Sequence, residues 1–298
     1  NVTVSGAGNT STELIAHTGT TPEESIILSS PGSVTLENVR IGYGNISVQN
    51  SSKTADGVPN ATISGVDLDA GGANITANAS SLTVTDTTFD DAQDGAINLT
   101  TTLNDTSGDL TVTNVDVNGF TPQDNDKVSA LNATAGVGAN VTIDDFNVDT
   151  AGDPLGSRAV AINLTDVGPT GTVSITNSRI TDIGTGTGIG IKQIRDSGWD
   201  SYDYTYTVDV SDNTLNSSQA AMTGISIDTL NVSNDLTRED YNTLVNDLNL
   251  DATTNEISGS RGFDSNFERY QTYSNLTGET RSAEATLTNN VIVSPDPT

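Results

Sequence analysis

The sequence has no cysteine, a single histidine, and few aromatic or basic residues. Without cysteine, neither a disulfide nor a thiolate metal site can form, so packing, hydrogen bonds or bound ions must hold the fold together. No stretch approaches the roughly 18 consecutive apolar residues of a transmembrane helix, so no membrane span is expected in this chain. The fold must therefore be inferred from small apolar and polar residues.

Positive charge is also scarce. Asp and Glu total 39 against 11 Lys and Arg, which gives a formal net charge of −28. Such a surface repels nucleic acid, anionic lipid and acidic polymers, so electrostatics argues against all three as partners. High charge with few aromatics often means disorder, but the periodicity described next argues against it. Acids dispersed along the chain, with only three lysines, instead indicate adaptation to high salt.

An eight-residue pattern recurs nine times: apolar, any, apolar, any, turn residue, any, any, apolar. The copies begin at Val34, Ala61, Leu82, Leu110, Val141, Val173, Val208, Leu250 and Ala285. The alternation over the first four positions predicts a strand with one inward face. Position five is Asn or Asp in seven of the nine copies, and these residues tolerate the left-handed backbone of a tight corner. Strand, corner and strand, repeated every 21 to 42 residues, predict a solenoid.

Further apolar alternations follow several copies and predict another strand in the same turn. They cover residues 95–99, 159–164, 188–191 and 224–227. Residues at position three are expected to stack as one interior column, namely Leu36, Ile63, Val84, Val112, Ile143, Ile175 and Val210. An antiparallel β-sandwich is the competing interpretation, but it requires hairpin signals, and only Asn118-Gly119 supplies one.

With these motifs, the sequence resembles the right-handed parallel β-helix family of the pectin-lyase-like fold over roughly residues 26–293. The resemblance implies an all-β chain, a right-handed parallel β-helix solenoid of about nine or ten turns with decorating loops and one short helix. The helix is expected near residues 237–248, where Tyr241, Leu244 and Leu248 share an apolar stripe.

The expected organisation has three parts. They are an N-terminal cap or first turn at 1–33, a parallel β-helix at 34–293 with loop insertions at 192–207 and 229–249, and a C-terminal tail at 294–298.

Many members of this family cleave polysaccharides, so the resemblance raises the question of catalysis. Galacturonase-like members carry clustered Asp motifs, a Gly-His-Gly and an Arg-Ile-Lys. Here His17 lies outside the repeat, and Gly190-Ile191-Lys192 has glycine where arginine is needed. The adjacent pairs Asp90-Asp91 and Asp144-Asp145 place neighbours on opposite faces of a strand. We therefore assign no catalytic residue and interpret the chain as a non-enzyme.

A lyase would need an Arg or Lys base beside carboxylates. Arg179, with Asp182 following, has that composition, although a solvent-facing cation on an acidic surface is the simpler interpretation.

Calcium is the one candidate cofactor, and no other cofactor is expected. The candidate ligands, Asp86, Asp90, Asp91 and Asp94, fall within nine residues. Hard oxygen ligands on a loop suit Ca²⁺, but the spacing is not that of an EF-hand. A solvated acidic loop is the competing interpretation.

The aromatic residues are unevenly distributed, and nine of the thirteen lie between Trp199 and Tyr273. Candidate interface or ligand residues in this stretch are Trp199, Tyr202, Tyr204, Tyr206, Phe263, Phe267 and Tyr270. Aromatics with polar tips are enriched at protein interfaces. Local packing of long loops would also account for them.

Sequons of the N-x-[ST] type are dense, which favours an extracellular or cell-surface location. The candidate glycosylation sites are Asn45, Asn60, Asn74, Asn98, Asn104, Asn132, Asn163, Asn216 and Asn275. In an Asn- and Thr-rich chain many sequons arise by chance, so only a minority are expected to carry glycans.

Together these features predict a surface protein of a halophilic archaeon with a non-enzymatic structural or adhesive function. It is expected to associate with itself, as a filament or coat, or with another surface protein or glycan. The alternatives are a polysaccharide lyase or hydrolase, and a viral or cell-borne glycan-binding spike.

The excess of acidic residues predicts a strong dependence of stability on salt. Between molar salt and tens of millimolar salt, the Debye length grows from ~3 Å to 10 Å and beyond. Repulsion among the 39 acids then becomes effective, so the unfolding temperature should fall steeply. Thermal melts across this range test the expectation, and melts that do not change with salt would contradict adaptation to high salt.

Overall fold

In the computed structural model, all regular secondary structure in the described residues is β-strand. The structure describes residues 2–6, 13–15, 25–30, 32–49, 60–69, 74–92, 95–100, 109–121, 128–134, 139–150, 154–165, 171–194, 205–217, 222–231, 247–253, 255–258, 261–266 and 282–293. None of these residues belongs to a helix long and apolar enough to cross a membrane.

The described strands form two sheets. Sheet A has 15 strands: β1 (Val2–Ser5), β2 (Glu13–Ile15), β4 (Ser33–Tyr43), β6 (Asn60–Asp69), β8 (Ser81–Asp90), β10 (Leu110–Asn118), β12 (Val141–Val148), β14 (Thr172–Thr176), β15 (Arg179–Ile180), β17 (Thr205–Ser211), β18 (Thr214–Asn216), β20 (Asp247–Thr253), β21 (Glu256–Ser258), β23 (Ser282–Thr288) and β24 (Val291–Val293). Sheet B has nine: β3 (Ser25–Ser29), β5 (Asn45–Gln49), β7 (Ile75–Asn78), β9 (Ile97–Thr100), β11 (Leu131–Thr134), β13 (Val160–Thr165), β16 (Thr187–Ile194), β19 (Thr223–Asn231) and β22 (Arg261–Asn266).

The chain passes repeatedly from one sheet to the other. Strands β4, β6, β8, β10 and β12 are successive neighbours in sheet A, and the strands between them in sequence, β5, β7, β9 and β11, are successive neighbours in sheet B. Every strand pair among the described residues is parallel. An antiparallel sandwich is therefore excluded for this part of the chain. The additional strands predicted from the second alternations are confirmed as β9, β13, β16 and β19.

The predicted interior column is confirmed by the register of sheet A. Its members pair in the order Leu36, Ile63, Val84, Val112, Ile143, Ile175 and Val210, and each is completely buried. The column continues to Val4 on one side and through Ala252 to Leu287 on the other. Copies of the repeat separated by loops of different length therefore share one register.

The corner predicted at position five is also confirmed. All seven Asn and Asp residues at this position have φ between 50° and 57°: Asn38, Asp86, Asn114, Asp145, Asn177, Asp212 and Asn289. Gly65 occupies the position in another copy, with φ 60°. A Cβ atom on Gly65 would lie 2.9 Å from Asn38 Oδ1. The ninth corner residue, Thr254, lies outside the described residues.

Position six lies inside the fold and changes chemistry along the chain. Val39, Val66, Val115 and Phe146 occupy it in four of the earlier copies, and all are buried. Later copies carry Ser178, Asn213, Asn255 and Asn290. We call the last three the amide ladder.

Hydrogen bonds connect the amide ladder from one copy to the next. Each Oδ1 accepts the backbone N–H of the preceding copy: Ser178 N to Asn213 at 2.9 Å, Asn213 N to Asn255 at 3.1 Å, and Asn255 N to Asn290 at 3.0 Å. Each Nδ2 donates to a backbone carbonyl, as Asn213 does to Ile175 O at 2.9 Å. Buried amide groups are thereby paired, as burial requires. In these copies the sheet A strand is divided at the corner, as in β17 and β18.

The helix predicted near residues 237–248 is wrong where the structure describes that segment. Asp247 and Leu248 begin β20 and pair with Thr205 and Tyr206 of β17. Pairing with the neighbouring strand outweighs the local helical stripe, because propensity is a weak determinant against tertiary contacts. Residues 232–246 lie outside the described residues.

A charge placed in the interior column should destabilise the fold severely. Ile143 is completely buried between Val112 and Ile175. Ile143→Asp should lower the free energy of unfolding by about 4 kcal/mol or more, because an unpaired carboxylate would be buried. Thr142→Asp is the matched control on the exposed face of the same strand and should change it by only about 0.5 kcal/mol. Denaturant titration measures both, and equal effects would contradict the column.

Candidate interaction surfaces

Outward side chains of sheet A also stack in columns, and several acids in these columns contact a neutral donor in the next strand. Amide nitrogens donate from Asn114 to Asp86 at 2.6 Å, from Asn118 to Asp90 at 3.0 Å, from Asn147 to Asp116 at 3.1 Å and from Asn177 to Asp144 at 2.7 Å. Like charges directly opposite each other destabilise a sheet, whereas a bond from a neutral donor to a carboxylate stabilises it. The acidic face is thus compatible with close stacking.

Two pairs of acids in the described strands nevertheless lie directly opposite each other, namely Asp69 and Asp90 in β6 and β8, and Asp209 and Asp251 in β17 and β20. Asp69 also forms an ion pair with Arg40 of β4, and both side chains are about half exposed. The arginine offsets the repulsion at this point.

A trough of about 320 Å³ lies on the outer face of sheet A. Its lining residues are Asp116, Asn118, Asn147, Val148, Asp149, Arg179 and Thr181. Arg179 is in register with Asn147, and Asn147 with Asp116, so a cation, an amide and a carboxylate follow one another across three strands. Such a mixture of donors and acceptors suits a hydroxyl-rich ligand. Asp182, which the sequence associates with Arg179, is not among the lining residues.

Three of the four predicted calcium ligands are described. Asp86 and Asp90 belong to β8 and accept amide hydrogen bonds, and Asp91 follows with φ 55°. Asp94 lies outside the described residues. In the part of the chain that the structure describes, no three His, Cys, Asp or Glu side chains are grouped so that they could hold a metal ion. The calcium site stays a prediction.

The predicted aromatic interface falls largely outside the described residues, which do not include Trp199, Tyr202, Tyr204, Phe267 and Tyr270. Tyr206 lies in β17, opposite Leu248, and Phe263 lies in β22, opposite Ile225. Their role in an interface stays a prediction.

The described glycosylation candidates differ in exposure. Asn60, Asn98 and Asn216 are exposed, whereas Asn45, Asn74, Asn132 and Asn163 are partly buried. Asn104 and Asn275 lie outside the described residues. Asn98, Asn132 and Asn163 are in direct register on β9, β11 and β13. We call these three the sequon stack.

At one edge of sheet A, the structure exposes large apolar side chains. Leu287, a member of the interior column, is 54% exposed, whereas its neighbour Ala252 is completely buried. Val291 in β24 is 55% exposed. Among the described strands, β23 pairs only with β20, and β24 only with β21. At the opposite edge, β1 pairs only with β4 among those strands.

Sequence reasoning did not identify the amide ladder, the sequon stack or the exposed Leu287 as units. Alignment of the repeats contains a signal for the first two. Position six is Asn in three copies, and the segments 96–100, 130–134 and 161–165 all contain a sequon within an apolar alternation.

The chain matches no protein-family model, no curated protein and no solved structure. Its function must therefore be inferred from the fold and from these surfaces.

Proposed function

We propose that the chain is a right-handed parallel β-helix, a solenoid of about nine or ten turns, with a non-enzymatic structural or adhesive role outside the cell. It belongs to a salt-adapted organism and associates with itself into a filament or coat. The alternation of the chain between two parallel sheets supports the solenoid. Crossovers between parallel strands of one sheet are right-handed in about 98% of cases, which supports the handedness.

The exposed edge of sheet A is the observation that carries the proposal of self-association. Leu287 continues the interior column, whose members from Leu36 to Ala252 are completely buried, yet Leu287 itself is 54% exposed. No described strand covers this edge of β23, and an uncovered strand edge is a template for a further strand. A strand placed on β23 would cover Leu287 and extend both the backbone hydrogen bonds and the interior column.

A second copy of this chain is the occupant that fits. Its β1 would pair with β23 in the register that β1 adopts on β4, which places Val2 opposite Ala285 and Val4 opposite Leu287. Residues 2–5 and 285–290 contain no charged side chain. Two copies with a net charge of −28 each would therefore meet through strands without opposed carboxylates.

Such an interface joins two different surfaces of the same molecule. A head-to-tail contact generates an open filament when its rotation does not close a ring. Repetition of the β1–β23 contact would thus extend sheet A from one molecule into the next, which suits a filament or coat.

A lysine at the exposed edge should prevent assembly. In molar salt at high protein concentration, the wild type should form multimers visible by electron microscopy and sedimentation. Leu287→Lys should stay monomeric, because a buried ammonium in the joint has no counter-charge. Thr288→Lys is the matched control, since Thr288 is the exposed neighbour of Leu287 in the same strand, and it should assemble.

Circular dichroism must show that both variants remain folded. A wild type that stays monomeric under these conditions would refute self-association. Assembly of Leu287→Lys to the wild-type extent would refute this joint.

Glycan binding in the trough of sheet A is a second candidate function. The observation in its favour is the column of Arg179, Asn147 and Asp116 within a concave surface of about 320 Å³. Arginine binds carboxylates through paired hydrogen bonds. A carboxylated polysaccharide is therefore the probe whose binding should depend most strongly on Arg179. Molar salt screens the repulsion between such a polymer and the acidic protein.

Loss of the arginine should weaken this binding. Arg179→Gln should reduce the affinity for a polyuronate about tenfold, as expected for a charge-assisted hydrogen bond of ~1.5 kcal/mol. Arg158→Gln is the control, because Arg158 is exposed but does not line the trough. Titration calorimetry measures the affinity, and a reducing-end assay on the same samples detects cleavage. Equal affinities for the two variants would contradict the site.

A further inference from the structure

Each member of the sequon stack occupies the same place in a strand of sheet B. The sequons are Asn98-Leu99-Thr100, Asn132-Ala133-Thr134 and Asn163-Leu164-Thr165. Their asparagines and their threonines are in register across β9, β11 and β13. Neighbouring strands are only ~4.8 Å apart, so bulky groups on adjacent asparagines would collide.

The side-chain amides of the sequon stack form a directional chain of hydrogen bonds. Asn163 Nδ2 donates to Asn132 Oδ1 at 2.9 Å, and Asn132 Nδ2 donates to Asn98 Oδ1 at 3.2 Å. The nitrogens of Asn163 and Asn132 are therefore both engaged. Asn98 is the acceptor at the end of this chain and is the exposed member of the three.

Burial distinguishes the other end of the stack. Asn163 Oδ1 is buried and has no hydrogen-bond partner. Asn132 lies between the other two, and the hydroxyl of its sequon threonine, Thr134, donates to Leu99 O at 3.2 Å. Asn132 and Asn163 are both partly buried, so a glycan on either residue would have to displace neighbouring side chains.

Space for a first sugar exists beside Asn98. A depression of about 180 Å³ is lined by Asn74, Thr76, Gly95, Ile97, Asn98, Val128, Ser129 and Asn132. It is smaller than the roughly 300–1,000 Å³ of a drug-sized ligand pocket, and its amides and hydroxyls suit a single sugar ring. A Cβ atom on Gly95, which has φ 108°, would approach Ser129 O to 2.7 Å. Glycine is thus required at this wall.

We infer that Asn98 is the one member of the sequon stack that carries an N-linked glycan, and that its first sugar lies in this depression. The inference rests on the extracellular location in the proposed function, because glycan transfer of this kind accompanies export. Asn132 and Asn163 match the same motif but remain unmodified, since their side chains are partly buried and their amide nitrogens already donate within the stack.

The modification is a glycosyl transfer from a lipid-linked sugar phosphate. The bond between the anomeric carbon and the phosphate oxygen breaks, and a bond from that carbon to Asn98 Nδ2 forms. The amide loses one proton to a base of the glycosyltransferase that carries out the transfer, and the lipid phosphate departs with the bonding electrons. The glycosylated amide retains one N–H, and Asn98 Oδ1 still accepts the bond from Asn132.

Site-resolved mass spectrometry of the protein from the organism that makes it tests the inference. A protease that cuts at acidic residues suits a chain with 11 Lys and Arg. The wild type should carry a glycan mass at Asn98 and none at Asn132 or Asn163. Asn98→Gln should lose that mass, and the matched variant Asn132→Gln should keep it.

A glycan on Asn132 or Asn163, or its absence from Asn98, would overturn the inference. So would transfer to Asn132 in the Asn98→Gln variant. Light scattering on the same preparation reports assembly separately. A glycosylated monomer would refute self-association alone, and an assembled protein without a glycan at Asn98 would refute the glycan site alone.

Discussion

The spacing of neighbouring strands, ~4.8 Å, is the constraint on which the rest of the structure depends. It places each position of a repeat directly against the same position of the next repeat. The side chains in a column must therefore be able to pack against, or bond to, side chains of similar kind. At about 4 Å, two like charges repel by roughly 1 kcal/mol in water and roughly 4 kcal/mol at an effective dielectric constant of 20. A chain with a net charge of −28 meets this constraint where amides and hydroxyls lie beside carboxylates, as Asn114 does beside Asp86.

The same constraint operates inside the fold with different chemistry. At position three, apolar side chains stack in the sheet register, and their burial supplies the main driving force. At position six, the later copies replace these side chains with asparagine, whose amide both donates to and accepts from neighbouring copies. A column of amides is compatible with itself because the group is both donor and acceptor. The position-six column contains both solutions, with apolar side chains in most earlier copies and asparagine in the last three.

Features fixed by chemistry within one repeat could be predicted from the sequence. The inward alternation and the Asn or Asp corner are local, and both the column through Ile143 and the corner at Asp145 agree with the structure. Features outside the apolar and corner positions of the octet could not be predicted, because loops of variable length hide the register of sheet B and the octet pattern leaves position six open. The pairing of Asn98 with Asn132 and the hydrogen bonds of Asn213 are of this kind. The helix predicted near residue 247 was wrong because these residues pair with β17 of the preceding repeat, a contact that the local sequence does not show.

The direction of the backbone hydrogen bonds has a mechanical consequence. Because these bonds run from strand to strand, tension along the stack loads successive strand pairs in series, and the weakest pair determines the force at which the stack opens. The amide ladder adds side-chain bonds between β17, β20 and β23 at Asn213, Asn255 and Asn290. The pair of β4 and β6 has valine at the same position, and the ion pair of Arg40 and Asp69 is the side-chain bond between these strands. At the end of the stack that carries the amide ladder, separation of the strands is therefore resisted by side-chain bonds as well as by the backbone.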